Sequence, residues 1–423
     1  MTSTQRPSPA KTRIASRIVA TALVTGLAGL AGLTGLAGQS VAAPTASAAS
    51  PTSAASPTPA TASAKEAPRT ALRNDVDAIT RTGSVGVIAQ SSGPRGHYSA
   101  AAGVADTTTR ERARVGDRFR IGSATKTFVS TVMLQLVGEG RVSLDDTVDH
   151  WLPGVVSGNG NDGRHITVRQ LLQHTSGLYD YTADFPEMTT ANGFQADRYT
   201  TWTPEQLVAI ATRHKPNFAP GTNWAYANTN YVLAGLIIEK ATGHSWQQEV
   251  TRRIIHPLGL RNTLAPTTQS RIPGPHLRGY SNFYGTGERM DVTDLNPSAA
   301  GAAGAMVSTP GDLSRFYSAL LGGRLLRPAQ LSEMKTTVRA EGLDAVWPGA
   351  RYGLGLQEVP LSCGGSYYTH GGDIPGFSTR SGASADGRRV VVVATTGDTA
   401  PDQSTEKAKN ALVDRALCAS GGK

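Results

Sequence analysis

Strand-forming runs sit at both ends of this chain and are missing from its middle, which restricts the folds open to it. Near the start, "SVGVIAQ" (84–90) and "HYSAAAGVA" (97–105) read as short strands joined at Ser92-Gly93-Pro94. The signal returns late, in "RYGLGLQEV" (351–359), "SYYTH" (366–370), "GFSTRSGAS" (376–384) and "RRVVVVATT" (388–396). Asp386-Gly387 marks a hairpin between the last two, because both turn positions need unusual backbone angles. Between these ends lie helix starts. Thr167-Val168-Arg169-Gln170, Thr203-Pro204-Glu205-Gln206 and Ser245-Trp246-Gln247-Gln248 are capping boxes, and Thr309-Pro310 opens another helix. A last helix is expected over roughly 403–418, with Ala408, Leu412 and Ala416 on one face. The expected class is mixed α/β (α+β). Both chain ends build one antiparallel sheet covered by helices, and a mainly helical lobe is inserted over about 127–330.

The N-terminus reads as an address. Lys11, Arg13 and Arg17 precede an apolar run from Ile18 to about Ala37, and small residues follow. This is a signal-peptide pattern over 1–42, with cleavage after Ala42 or as late as Ala48. The alternative is a membrane anchor, disfavoured because the run is rich in Gly and Thr. Residues 43–68 are nearly all Ala, Pro, Ser and Thr and are expected to form a disordered spacer. The catalytic-sized domain is then 69–423. The chain carries a net charge of +9, and residues 1–68 hold five basic side chains and one acidic, leaving about +5. No basic tract is dense enough for nucleic acid. The two cysteines, Cys363 and Cys418, both fall in the part expected outside the cell, where a disulfide is expected; two buried free thiols are the alternative. No cysteine follows the leader to carry a lipid. A secreted monomer without a stable membrane anchor is expected.

Four serines have a lysine three residues later: Ser8, Ser123, Ser332 and Ser404. Ser8 lies in the leader, Ser332 on a solvated helix face, and Ser404 at the start of the last helix, as its expected cap. Ser123 differs. It follows "RFRIG" and precedes Val129, Val132, Met133, Leu136 and Val137 at helical spacing. That places it at the N-terminus of a buried helix, with Lys126 one turn away on the same face. Such a helix end favours developing negative charge. A lysine activates a serine only when neutral, which requires lowering its pKa by roughly 3 units from about 10.4. The plain alternative is a capping serine beside a surface lysine.

The stretch "GDRFRIGSATKTFVSTVMLQLVGEGRVSLDDTV" resembles the nucleophile region of the serine penicillin-recognising enzymes. It is closest to secreted D-alanyl-D-alanine carboxypeptidases, a group that includes class C β-lactamases and related esterases. The resemblance runs from about residue 70 to the end and includes "LLQHTSGLYDYT", "PGTNWAYANTNYVLAGLIIEKATG" and "YYTHGGDIPGF". It implies a β-lactamase/transpeptidase-like fold and an acyl-enzyme at Ser123. The family's tyrosine-x-asparagine motif falls on Tyr226-Ala227-Asn228, in preference to Tyr280-Ser281-Asn282, because a long apolar helix follows it. Tyr226 would shuttle a proton, given a lowered phenol pKa. Asn228 would hold a substrate amide through both donor and acceptor. The third motif reads His370-Gly371-Gly372. His370 would polarise the site near Tyr226, and the glycines would let backbone approach a ligand. The oxyanion would sit on the backbone N–H groups of Ser123 and Asp373.

Three positions depart from the carboxypeptidase pattern. Gly371 and Asp373 replace the threonines that hold a peptide's terminal carboxylate, and Gln357 stands where the closest carboxypeptidases have arginine. The leading expectation is a D-Ala-D-Ala carboxypeptidase-like peptidase acting on a peptidoglycan stem peptide or a β-lactam. The alternatives are an esterase, a D-amino acid amidase or aminopeptidase, a class C-like β-lactamase, and a non-turnover wall-fragment or β-lactam sensor. There is no Gly-x-Ser-x-Gly elbow, zinc signature or Walker loop, and no metal or cofactor is implied.

Overall fold

The computed structural model describes residues 60–185, 190–283, 288–398 and 402–419. The expected leader and most of the expected spacer lie outside these residues. Helix α1 (Ala60–Arg81) begins within the stretch read as spacer. Ala, Lys and Glu in "ATASAKEAP" favour helix strongly enough to carry it back past Pro68.

Strands β1 (Gly86–Gly93) and β2 (Gly96–Gly103) form the expected hairpin. Gly93 pairs with Gly96, so the turn residues are Pro94 and Arg95, later than the Ser92-Gly93-Pro94 expected. The short β3 (Phe119–Arg120) leads into α2 (Thr125–Gly138). The helical lobe contains α3 (Val168–Gln173), α4 (Pro204–Thr212), α5 (Thr229–Thr242) and α6 (Trp246–Val250). Helices α3, α4 and α6 begin at the three capping boxes, each with both reciprocal bonds formed. β4 (Val307–Ser308) pairs with β3, and α7 (Pro310–Leu321) is capped by Thr309.

The chain then returns to the sheet. It adds β5 (Val338–Arg339), β6 (Arg351–Tyr352), β7 (Gln357–Pro360), β8 (Ser366–Thr369), β9 (Gly372–Ile374), β10 (Phe377–Ala383) and β11 (Val390–Thr396). Helix α8 (Ser404–Cys418) closes the domain. The nine-stranded sheet has the order β2-β1-β11-β10-β8-β7-β6-β5, with β9 attached to β10. Its pairings are antiparallel, and β1 lies against β11 with Val87 opposite Thr395. Every residue of β11 is buried. Alternation sends Val391 and Val393 toward Leu72, Val76 and Ile79 of α1 and Leu412 and Val413 of α8. Val390, Val392 and Ala394 face the larger core with Leu313 and Phe316 of α7. Helices thus cover both faces.

Ala408 and Ala416, half-buried, pack with Leu412 on the expected face, joined by Val413 and Leu417. One expectation about α8 changes. Ser404 does not cap the helix; its backbone N–H donates to Asp402 Oδ1, and Gln403 holds the N-cap position with φ +59°. Cys363, in the loop after β7, is disulfide-bonded to Cys418 at the end of α8. Closing a loop of this length is worth about 4 kcal/mol in the chain-entropy view. Among the described residues no helix is long and apolar enough to cross a membrane.

Candidate active site

Ser123 sits where a strand becomes a helix. Arg120 of β3 is buried and donates to the carbonyls of Thr293, Leu295 and Ser270, which fixes the approach. A single turn (Gly122–Ala124) precedes α2. The helix is buried on nearly every side, with Phe128 stacked on Phe316 at 3.6 Å between centroids. Gly122 has φ +50°, and a β-carbon there would lie 2.7 Å from the Asp373 nitrogen. A β-carbon on Gly372 would lie 1.8 Å from the Ile121 oxygen and 3.0 Å from the Ser123 nitrogen. The two glycines therefore let β9 press against the nucleophile turn, bringing the Ser123 and Asp373 amides side by side. Gly372 serves this backbone-to-backbone contact, and Gly371 is roofed by Trp347, 2.6 Å from where a β-carbon would be. Neither glycine is open to a ligand in the way the sequence suggested.

Lys126 is 0% exposed. Its Nζ lies 3.0 Å from Ser123 Oγ, 2.7 Å from Asn228 Oδ1 and 2.7 Å from the Ala303 carbonyl. Burial pulls its pKa down to about 7, against an opposing pull from the Asp180 carboxylate. Two of the three partners can only accept. A neutral amine gives its two hydrogens to these, and its lone pair then faces the one partner able to donate, the Ser123 hydroxyl. The set is arranged for proton transfer from serine to lysine.

Asn228 at the start of α5 departs from its expected use. Its Oδ1 accepts from Lys126, and its Nδ2 donates to Asp180 Oδ2 at 3.0 Å. Its carbonyl is thus committed within the protein, leaving one N–H for a ligand. Tyr226 is half-buried, with Lys126 Nζ 4.8 Å from its ring centre. Burial raises its phenol pKa well above 10, and the Ser123 hydroxyl offsets this only in part. The lowered phenol expected from sequence is therefore not found; Tyr226 is a protonated donor. Tyr280 of the rival motif is elsewhere, accepting from the Thr107 backbone N–H.

His370 also departs from expectation. It is 1% exposed, Nε2 lies 2.8 Å from the Tyr352 hydroxyl, and Nδ1 lies 2.6 Å from the Gly371 carbonyl. Nδ1 thus carries the hydrogen and Nε2 accepts. Burial, reinforced by Lys126, lowers its pKa to about 3. It stays neutral, with its ring centre 6.3 Å from that of Tyr226. It belongs to the wall behind Tyr226 and supplies no positive charge.

Asp373 does face solvent, with its side chain 60% exposed. It accepts from Ser378 Oγ at 2.6 Å and Arg380 Nη1 at 3.1 Å. Partial burial pushes its pKa up, but Arg380 and Lys409 outweigh this and hold the carboxyl ionised. A cavity of about 190 Å³ opens beside it, lined also by Phe283, Ile374, Phe377 and Asp398. Gln357 is 2% exposed, and its Oε1 has no hydrogen-bond partner in the structure. This position therefore supplies no charge.

Sequence reasoning assigned no role to His174, Asp180, Tyr231 or Tyr352, which surround Lys126 and Tyr226. The first two lie in "LLQHTSGLYDYT", a segment used only for its resemblance. No group of His, Cys, Asp or Glu among the described residues could hold a metal ion.

Residues 78–415 match the Beta-lactamase family. The chain is 46% identical to a D-stereospecific amidohydrolase from Streptomyces sp., with a TM-score of 0.74, covering 81% of this chain and 98% of that one. It is 29% identical to D-amino acid amidase from Ochrobactrum anthropi SV3, with a TM-score of 0.72 over 83% of this chain and 98% of the other. It is 28% identical to penicillin-binding protein 4* of Bacillus subtilis (strain 168) over 306 residues, 70% of this chain and 64% of that protein. The chain spans less than two thirds of the length of the first curated relatives it matches. With a buried lysine against the serine of the turn before α2, and with this match across most of its length, the chain belongs to the Beta-lactamase family and has its fold.

Proposed function

We propose that this chain is a serine hydrolase that cleaves amides of D-configured amino acids whose leaving group carries no carboxylate, through an acyl-enzyme on Ser123. The observation that carries the chemistry is the 3.0 Å contact between Ser123 Oγ and a wholly buried Lys126. Lys126 takes the serine proton as Oγ attacks the carbonyl carbon. The oxyanion is held by the Ser123 and Asp373 backbone N–H groups. Tyr226 gives its proton to the departing nitrogen and recovers one from Lys126. Water then attacks the acyl-enzyme by the reverse proton path, releasing the acid and restoring Ser123.

Substrate class follows from Asp373 and Gln357. A free carboxylate on the leaving side would meet an exposed, ionised Asp373, and a neutral Gln357 offers it no counter-charge. This favours an amidase or aminopeptidase over the carboxypeptidase reading. The D-stereospecific amidohydrolase and D-amino acid amidase likenesses support the same preference. The signal-like N-terminus and the Cys363–Cys418 disulfide support work outside the cell, in an oxidising compartment.

The test compares a D-amino acid amide, a D-Ala-D-Ala tripeptide, a short-chain ester and a fluorescent penicillin, each with Ser123→Ala alongside. The amide is expected to be the best substrate, penicillin to label Ser123, and Ser123→Ala to abolish turnover and labelling. A higher kcat/KM for the tripeptide would return the assignment to a carboxypeptidase. Labelling without turnover of any substrate would make the chain a sensor.

A further inference from the structure

Tyr226 lies in a segment without regular secondary structure (223–228), yet the proton path needs its hydroxyl held steadily. One residue holds that segment from both sides. His174 accepts from the Ala225 backbone N–H through its carbonyl, at 3.1 Å. It accepts from the Ala227 backbone N–H through Nδ1, at 3.2 Å. Its ring lies against the Tyr226 ring, with 4.2 Å between centres. The backbone N–H groups of both residues that flank Tyr226, and its ring face, thus meet one side chain and its own backbone.

His174 is itself firmly placed. It is 0% exposed and occupies the C-cap of α3 with φ +62°, a left-handed conformation uncommon for a residue with a β-carbon. Such strain persists where surroundings over-determine it, and it gathers at functional sites. Asn230 of α5 donates Nδ2 to the same Nδ1 at 3.0 Å, and its own Oδ1 accepts from Ser176 Oγ at 2.6 Å. With two donors aimed at Nδ1, the ring's hydrogen is on Nε2. That nitrogen is buried with no hydrogen-bond partner in the structure, so burial alone does not account for a polar ring here.

We infer that His174 is a positioning residue for Tyr226, acting as a neutral double acceptor that fixes the backbone on both sides of the phenol. This rests on the reading above that Tyr226 carries the proton. It predicts which replacements work. Asparagine tolerates a left-handed φ, and its Oδ1 can stand in for Nδ1. Glycine tolerates the conformation and lacks the acceptor.

The experiment measures single-turnover acylation of Ser123 by a chromogenic penicillin, with KM and kcat for the best amide, in the full-length protein. His174→Gly is expected to lower the acylation rate constant about 30-fold or more while changing KM less than threefold. His174→Asn is expected to recover the rate to within about fivefold of wild type. In a Tyr226→Phe background, His174→Gly is expected to cause less than a threefold further loss, because the group it positions is already gone. A folded His174→Gly that acylates within threefold of wild type overturns the inference. So does an equal fractional loss in both backgrounds, which is the mark of a general structural effect. Should His174→Gly not fold, His174→Asn decides: near-wild-type acylation supports the inference, and a folded variant slowed more than 100-fold overturns it. Wild-type rates in Tyr226→Phe itself would instead remove the proton-path reading beneath it.

Discussion

Lys126 and Lys409 are both wholly buried, in different company. Lys126 is surrounded by neutral partners: a hydroxyl, an amide oxygen and a backbone carbonyl, with the Tyr226 and Tyr231 rings alongside. Lys409, on α8 behind the sheet, contacts the Glu406 carboxylate and Ser378 Oγ. Glu406 also bonds Arg380, which reaches Asp373 and lies over Trp347. Burial depresses both amines, Lys126 to about 7 and Lys409 to about 8, the latter pressed further by Arg380 and supported by Glu406. The difference lies in what a proton would meet. At Lys409 it completes an ion pair. At Lys126 it meets no direct carboxylate partner, so the amine is available as a base near neutrality. Similar burial thus yields a reactive group in one place and an ionic brace in the other.

The comparison breaks first at the rate. Lys126→Met is expected to lower kcat/KM about 10³-fold, the scale of losing a general base. Lys409→Met is expected to leave kcat per folded molecule within threefold. Comparable rate losses in the two folded variants would erase the distinction. Next is stability. Lys409→Met removes one partner of the buried Glu406 carboxylate and is expected to cost about 3 kcal/mol, read by urea denaturation.

The third test is pH. The neutral amine is the active form, so kcat/KM should rise through an acid limb near the value of about 7 held by Lys126. The same lowered pKa has a stability consequence of fixed sign. The folded amine binds its proton less tightly than the unfolded one, so its contribution is most favourable above about 10.5. It declines as pH falls toward about 7 and is level below that. Wild-type stability minus that of Lys126→Met should therefore increase by roughly 1 kcal/mol per pH unit across this window. A flat difference would mean that Lys126 titrates normally. The smallest effect is expected from Asp180→Asn, which keeps an acceptor for Asn228 but removes the charge that raises the lysine pKa. The acid limb should shift to lower pH by roughly half a unit. A shift to higher pH would reverse the assigned role of Asp180.

Much of this was legible in the sequence because the determining signals are local. Capping boxes, the turn around Gly387, which takes φ +68° while Asp386 does not share the positive φ, and the unbroken valines of "RRVVVVATT" specify their elements with short-range chemistry. Ser123 and Lys126 were legible because a single helical turn joins them. What failed depends on distant groups. The charge state of Tyr226 and His370 is set by burial among residues from separate segments, and spacing carries no measure of burial. Gly372 looked like a ligand contact because the turn at Ile121–Ser123 that it accommodates lies far away in sequence. His174 was passed over because a histidine at the end of a six-residue helix has no local signature; its importance lies in Ala225, Ala227 and Asn230, which come more than fifty residues later.

The pairing of β1 with β11 sets a timetable. Val87 emerges from the ribosome roughly 300 residues before Thr395, its opposite number. Until then β1 has no partner on its inner side, so both edges of the first hairpin are bare, and α1 has no α8 to pack beside. Contacts of such long range make assembly slow. Completion of the central sheet must therefore await the last strand of the chain. Fragments that stop short of residue 390 would retain a helical lobe and a nucleophile turn but lack the strand joining the two halves of the sheet.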